Sequence, residues 1–230
     1  KLKEVFPEHF ILYKPKAIVS GDFYWIGKKE DTVICAVADC TGHGVPGAFM
    51  SILGFNMLEN VITKEERVEP GSMLSALNEE IVNRLSKGKE RETVKHGMDI
   101  AIISIDKKNT LQYAGARNSL YLVRKGELTE IKADKMSTGI VANDQQEIRY
   151  TNNVKELEKG DMIYLFSDGF PDQKGEATKK KFYYQPFKDL FVSIHQLSME
   201  QQKQQLDDTI IQWIGNGEQT DDILVMGIRV

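Results

Sequence analysis

Apolar residues along the chain fall mostly into short runs of strand length. Phe10-Ile11-Leu12-Tyr13 opens the series, and a second strand is predicted over 17–27, with Ile18, Val19, Phe23, Trp25 and Ile26. Lys28-Lys29-Glu30-Asp31 makes a charged turn, and Thr32 to Ala38 then forms a run apolar enough for a buried strand. Too few residues separate these strands for helical crossovers, so they form a meander. Strand signals return at 99–105, 111–114, 120–123 and 128–131, with Lys125-Gly126 as a hairpin turn, then in an alternating stretch at 148–150, at 162–166 and at 223–228.

Two regions carry the helical period instead. After the Gly42-to-Gly47 turn, in which Pro46 suits a first helical turn, Phe49, Ile52, Leu53, Met57 and Val61 predict one helix. A second starts at Ser72, runs through Met73, Leu74, Leu77, Ile81 and Leu85, and ends at Gly88. Residues 87–96 and 171–185 are charged and polar, as exposed loops are. Pro186 to Leu197 reads as a short helix. Ser198 and Gln201 have capping-box spacing for the next one, which turns Leu206, Ile210, Trp213 and Ile214 inward. Strands interrupted by helix pairs predict a mostly antiparallel α+β domain.

At 230 residues the chain can bury a large core, and it shows neither an internal repeat nor a linker, so residues 1–230 are read as one domain. A net charge of −4, with a pI near 5.7, argues against a nucleic-acid surface. Cys35 and Cys40 have neither zinc-finger nor disulfide-framework spacing, which suits a reducing, cytoplasmic setting. The first residues lack the apolar segment of a signal peptide, and no uninterrupted apolar run reaches membrane-span length. The chain opens on Lys1 without an initiator methionine, which suggests a piece of a longer protein.

Four aspartate sites stand where hydrophobic runs stop or start: Ser20-Gly21-Asp22, Asp39-Cys40-Thr41-Gly42-His43-Gly44, Ser167-Asp168-Gly169 and Thr220-Asp221-Asp222. Singly, each reads as a turn or cap. Together, carboxylates gathered at one rim of a sheet would repel each other unless a cation neutralised them, which predicts a site for hard divalent metals.

Six segments resemble, in order, the signatures of one family. They are Ser-Gly-Asp-Phe-Tyr-Trp (20–25), Ala-Asp-Cys-Thr-Gly-His-Gly-Val-Pro-Gly-Ala (38–48), Gly-Met-Asp-Ile-Ala (97–101), Ala-Gly-Ala-Arg-Asn-Ser-Leu-Tyr (114–121), Phe-Ser-Asp-Gly-Phe (166–170) and Gln-Thr-Asp-Asp-Ile (219–223). The set is similar to the PPM (type 2C) metal-dependent serine/threonine phosphatases, in the bacterial branch typified by the sporulation stage-two protein E phosphatase. The resemblance implies a four-layer α-β-β-α sandwich with two Mn²⁺ or Mg²⁺ ions at one end. It implies that Asp39 bridges both ions, that Cys40 lends its carbonyl, that Asp168 and Asp221 hold one ion and Asp22 serves the other, and that Asp222 supports the ligands from behind. Metal-activated water would then attack a phosphoserine or phosphothreonine. His43 is either a general acid beside that water or a packing residue of the turn. The helices after the Gly-His-Gly turn are an amphipathic pair that packs on the sheet, and by the same resemblance they also look like a switch that positions Asp39 and its neighbour for metal binding.

By the same resemblance the substrate is a small phosphoprotein, such as an anti-anti-sigma factor of the STAS class. The parent protein would add a sensor, coiled-coil or membrane segment, with room for a homodimer. Two departures stand out. Ala116 falls where eukaryotic members carry an aspartate for a third metal, and no arginine near the amino end matches their phosphate clamp. Arg117 replaces a small polar residue, without an evident reason in the sequence. Lys179-Lys180-Lys181 is either a solvated loop or a docking site for an acidic phosphoprotein. The rival readings are a non-catalytic partner-binding domain of the same fold and a different binuclear hydrolase acting on small phosphoesters or nucleic acid.

Overall fold

Alternation along the run that ends at Asp39 sets the layering. In β3 (Thr32–Cys40), Val33, Cys35 and Val37 face one side while Ile34, Ala36, Ala38 and Cys40 face the other, and both sides are buried. A strand buried on both faces must lie between two layers. The computed structural model describes residues 6–42, 44–64, 68–85, 97–140 and 148–230. Within them β3 lies between β2 (Asp22–Lys29) and β4 (Met98–Ile105), and β5 (Thr110–Ala116) and β8 (Asn153–Glu156) complete an antiparallel sheet ordered β2-β3-β4-β5-β8.

A second antiparallel sheet contains β1 (His9–Lys14), β6 (Leu120–Arg124), β7 (Glu127–Ile131), β9 (Met162–Phe166) and β10 (Ile223–Arg229), ordered β1-β10-β9-β6-β7. The β6–β7 hairpin turns through Lys125 and Gly126, both at positive φ (52° and 85°), as its tight connection requires. Val37, Ile103, Leu165 and Met226 belong to the core between the sheets. Helices α1 (Gly44–Lys64) and α2 (Pro70–Leu85) cover the outer face of the first sheet. The one-turn α3 (Gly169–Asp172) follows β9, while α4 (Tyr184–Ile194) and α5 (Met199–Ile214) cover the second sheet with Phe187, Phe191, Leu206 and Ile210. Each fully buried side chain of this size contributes about 1.5–3 kcal/mol. The result is the expected four-layer α-β-β-α sandwich.

Several boundaries differ from the sequence reading. The strand predicted over 17–27 begins only at Asp22, because the Lys16 and Gly21 N–H groups turn toward the Asp222 carboxylate (2.7 and 2.8 Å) instead of a neighbouring strand. The stretch at 148–150 is not a strand; β8 lies just beyond it and pairs with β5. Helix α2 starts at Pro70 rather than Ser72, and its predicted end at Gly88 lies outside the described residues, as does the charged stretch 87–96. Helix α4 begins at Tyr184 and ends at Ile194, three residues before Leu197. The Ser198–Gln201 capping box on α5 is present.

The largest correction concerns α1. Its buried face is Gly47, Met50, Gly54, Met57, Leu58, Val61 and Ile62, whereas Phe49 and Ile52 are 66% and 59% exposed. Gly54 marks the packing side, since a Cβ there would lie 2.3 Å from the Met98 sulfur. With 21 residues and a mean hydropathy of 1.2, α1 is also long and apolar enough to cross a membrane. A helix packed on a sheet, as α1 is here, passes the same test.

Candidate metal centre

The register of three strands brings the first carboxylates together. Asp22 pairs with Asp39 across β2 and β3, and Asp39 pairs with Asp99 across β3 and β4. Asp39 continues the Val33-Cys35-Val37 row and Asp99 the Ala101-Ile103-Ile105 row, both facing the second sheet. The second sheet supplies Asp168, two residues beyond β9, and Asp221 and Asp222, just before β10. Paired strands hold those ends side by side, with Phe166 opposite Val225. Asp39, Asp99, Asp168 and Asp221 line one cleft of about 330 Å³, together with Arg117 and Ser137. Asp22 is buried next to Asp39 and does not line it.

Like charges placed directly opposite on a sheet are destabilising. Burial, followed by the charges of Asp22, Asp168, Asp221 and Asp99, pushes the Asp39 carboxyl up to about 10. Burial, then Asp222, Asp221 and Asp168, lifts Asp22 to about 8 against the opposing hydrogen bond from Ser167. Asp168 is raised by burial and by Asp172 and Asp221. Asp99 is raised mainly by burial. One oxygen of Asp22, Oδ2, is buried without a hydrogen-bond partner among the described residues. A buried oxygen of that kind calls for a ligand.

A divalent cation would reverse each of these effects, because it favours the charged carboxylates that burial disfavours. The donor set is all oxygen, as Mg²⁺ and Mn²⁺ prefer. No three His, Cys, Asp or Glu side chains among the described residues already close around one point. The residues present fit the group.

Glycines let distant backbones meet here. A Cβ on Gly21 would lie 2.5 Å from the Gly42 carbonyl oxygen, and one on Gly47 would lie 2.2 Å from the same atom. Gly169 approaches the Asp222 carbonyl as closely, with 1.9 Å to a built Cβ. Asp222 has both carboxylate oxygens filled, by the Lys16 and Gly21 N–H groups, so it fastens the segment leading into Asp22. The Asp221 Oδ1 accepts from the Asp222 N–H at 2.9 Å. Thr41 ties the loop after Asp39 to Gly97 through its N–H and its hydroxyl, both donating to the Gly97 carbonyl (3.1 and 3.0 Å).

A family model described as stage II sporulation protein E (SpoIIE) matches residues 29–230. The chain belongs to this family. It is 28% identical over 190 residues to the phosphoserine phosphatase RsbU of Bacillus subtilis (strain 168), covering 82% of this chain and 52% of RsbU. The chain therefore spans about half the length of that curated relative. Among solved structures, the SiaA-PP2C domain of Pseudomonas aeruginosa matches with a TM-score of 0.89 and 30% identity, over 100% of this chain and 89% of that one. RsbX, solved in complex with magnesium, shares the fold at a TM-score of 0.62 and 16% identity, over 96% of this chain and 94% of its own. This is a SpoIIE-type PP2C domain.

Of the sequence candidates in the SpoIIE-type domain, Asp39, Cys40, Asp168 and Asp221 line the cleft, with Asp22 beside them and Asp222 behind. The Cys40 side chain belongs to the helix-side core, where burial and the charge of Asp39 push its thiol up, so it is no nucleophile. His43 lies outside the described residues. Lys181 pairs with Asp172 at 2.7 Å. Sequence reasoning missed Asp99 and Ser137, and singled out Arg117 without giving it a role. Asp99 was in view as part of Gly-Met-Asp, but only the register with Asp39 shows that it shares the rim.

Proposed function

We propose that this domain removes phosphate from phosphoserine or phosphothreonine in a small bacterial signalling phosphoprotein, with an anti-anti-sigma factor of the STAS class as the leading candidate. Two divalent ions, Mn²⁺ or Mg²⁺, would be held by Asp22, Asp39, Asp168 and Asp221, with the Cys40 carbonyl as a further oxygen donor. When bound, such ions supply an activated water and neutralise phosphoryl charge. Asp39 stands between Asp22 and Asp99 in the register, so it is the carboxylate best placed to serve both ions. Asp222 and Ser167 keep Asp22 in place, from the backbone and from the side chain respectively. A cytoplasmic setting, and control by a sensor or coiled-coil region of a longer parent protein, belong to the same proposal.

The observation that carries this reading is the partnerless buried oxygen of Asp22 beside an acidic rim drawn from both sheets. The test is Mn²⁺-dependent hydrolysis of a phosphoserine peptide, compared with Asp39→Asn and Asp168→Asn. Both variants should lose hydrolysis, and turnover surviving in both would refute the assignment.

A further inference from the structure

We propose that Arg117 is the phosphate-binding side chain of this site. The inference rests on the phosphatase reading above and adds to it a residue that contacts the substrate. Among the described residues that line the acidic cleft, Arg117 is the sole cation. A phosphoryl dianion approaching four carboxylates needs positive charge besides that of the ions. A guanidinium supplies it in a planar fork that matches phosphate oxygens.

The backbone presents this side chain deliberately. Arg117 has φ of 60°, a left-handed conformation that few non-glycine residues adopt and that turns up at ligand sites. Its surroundings hold it there. The Arg117 N–H donates to the Asp134 carbonyl at 2.8 Å, and the Asn118 N–H donates to the Ala116 carbonyl at 2.8 Å. The buried Tyr113 hydroxyl donates to the Asn118 carbonyl at 2.6 Å, and the Asn118 amide donates to the Asp99 carbonyl at 3.1 Å. The turn that carries the arginine is thus fastened to the strand that carries Asp99.

The guanidinium itself is lightly engaged. Its one ion pair is Nε to Asp99 Oδ2 at 3.3 Å, longer than the roughly 2.8 Å of a strong charge-assisted bond. The other Asp99 oxygen accepts from the Ser137 hydroxyl at 2.5 Å. With the Arg117 side chain 60% exposed, its two terminal nitrogens have no other protein partner among the described residues. Asp99 anchors the arm near its middle and leaves the tip for an incoming anion.

The experiment uses the whole domain with Mn²⁺ and compares wild type, Arg117→Ala and Arg117→Lys. None of the three is glycine, so each bears the same left-handed backbone and only the guanidinium is tested. Inorganic phosphate is titrated as an inhibitor of aryl phosphate hydrolysis and directly by calorimetry. KM and kcat are measured on a phosphoserine peptide, and the melting shift with Mn²⁺ reports metal binding. Arg117→Ala should weaken inorganic phosphate and raise the peptide KM by about 10- to 100-fold, the loss expected for a hydrogen bond to a charged group. Arg117→Lys should fall between the two, with the Mn²⁺ melting shift retained in both. An unchanged phosphate inhibition constant and KM would overturn the proposal. So would a loss confined to Mn²⁺ binding, which would make Arg117 a mere counter-charge for Asp99. If Arg117→Ala fails to fold, the Arg117→Lys comparison decides. A wild type inactive on the peptide with Mn²⁺ overturns the phosphatase reading itself, whereas an active wild type with unaltered variants overturns only the role of Arg117.

Discussion

Asp39→Asn should make the metal-free domain more stable while removing its response to metal. Without a cation, Asp39 must hold a proton in the folded state at pH 7, because burial and four neighbouring carboxylates raise it from 3.8 to about 10. Taking up that proton at pH 7 costs about 4 kcal/mol relative to an unfolded chain that has released it. Asp39 is only partly enclosed, so half of that, about 2 kcal/mol, is the lower figure after solvent screening. Asparagine carries no proton to retain, and its amide faces the same cleft as Asp168. For a domain of this size, about 2–4 kcal/mol corresponds to roughly 5–15 °C in Tm. Melting curves in EDTA at pH 7 should therefore place Asp39→Asn above wild type by that margin. In millimolar Mn²⁺ the order should invert, as wild type gains from metal binding and the variant does not. An asparagine variant that melts below wild type in EDTA would falsify the claim that these carboxylates repel one another.

Three further outcomes follow from the same geometry. In EDTA, stability should fall as pH rises from about 4 toward 8–10, because Asp22 (about 8) and Asp39 (about 10) bind protons more tightly folded than unfolded. Their stabilisation is whole below the unfolded value and is lost through the folded ones, and urea titrations across that range, with and without Mn²⁺, should show metal abolishing the decline. Gly47→Ala would put a methyl 2.2 Å from the Gly42 carbonyl oxygen, so urea melts should show a loss of about 1–3 kcal/mol together with weaker Mn²⁺ stabilisation. Arg124→Ala would strip the guanidinium from Asp161, which is 1% exposed and bound at 2.9 and 2.6 Å; it should cost about 3 kcal/mol in urea melts yet leave peptide hydrolysis by the folded fraction unchanged.

The strands and the aspartates were legible because both follow local rules. Short unbroken apolar runs marked β3 and β9 with their terminal carboxylates, and the capping residues Ser198 and Gln201 marked the start of α5. What escaped depended on partners far along the chain. Residues 17–21 look like strand, but the N–H groups that bracket them, those of Lys16 and Gly21, donate to Asp222, some 200 residues away. The inward face of α1 was misread because Gly47 and Gly54 define it, and a hydrophobic count gives glycine no weight. Asp99 and Arg117 lie in recognisable segments, yet only strand register and a left-handed turn carry them to the rim.

That the acidic rim straddles both sheets bears on when the domain becomes competent during its synthesis. Gly21 and Asp222 are 201 positions apart, and β10 is the last strand described. Contacts of such long range form slowly and late. A nascent chain still short of Thr220 would lack Asp221 and Asp222, so its acidic rim would be incomplete and the segment leading into Asp22 would not yet be fastened.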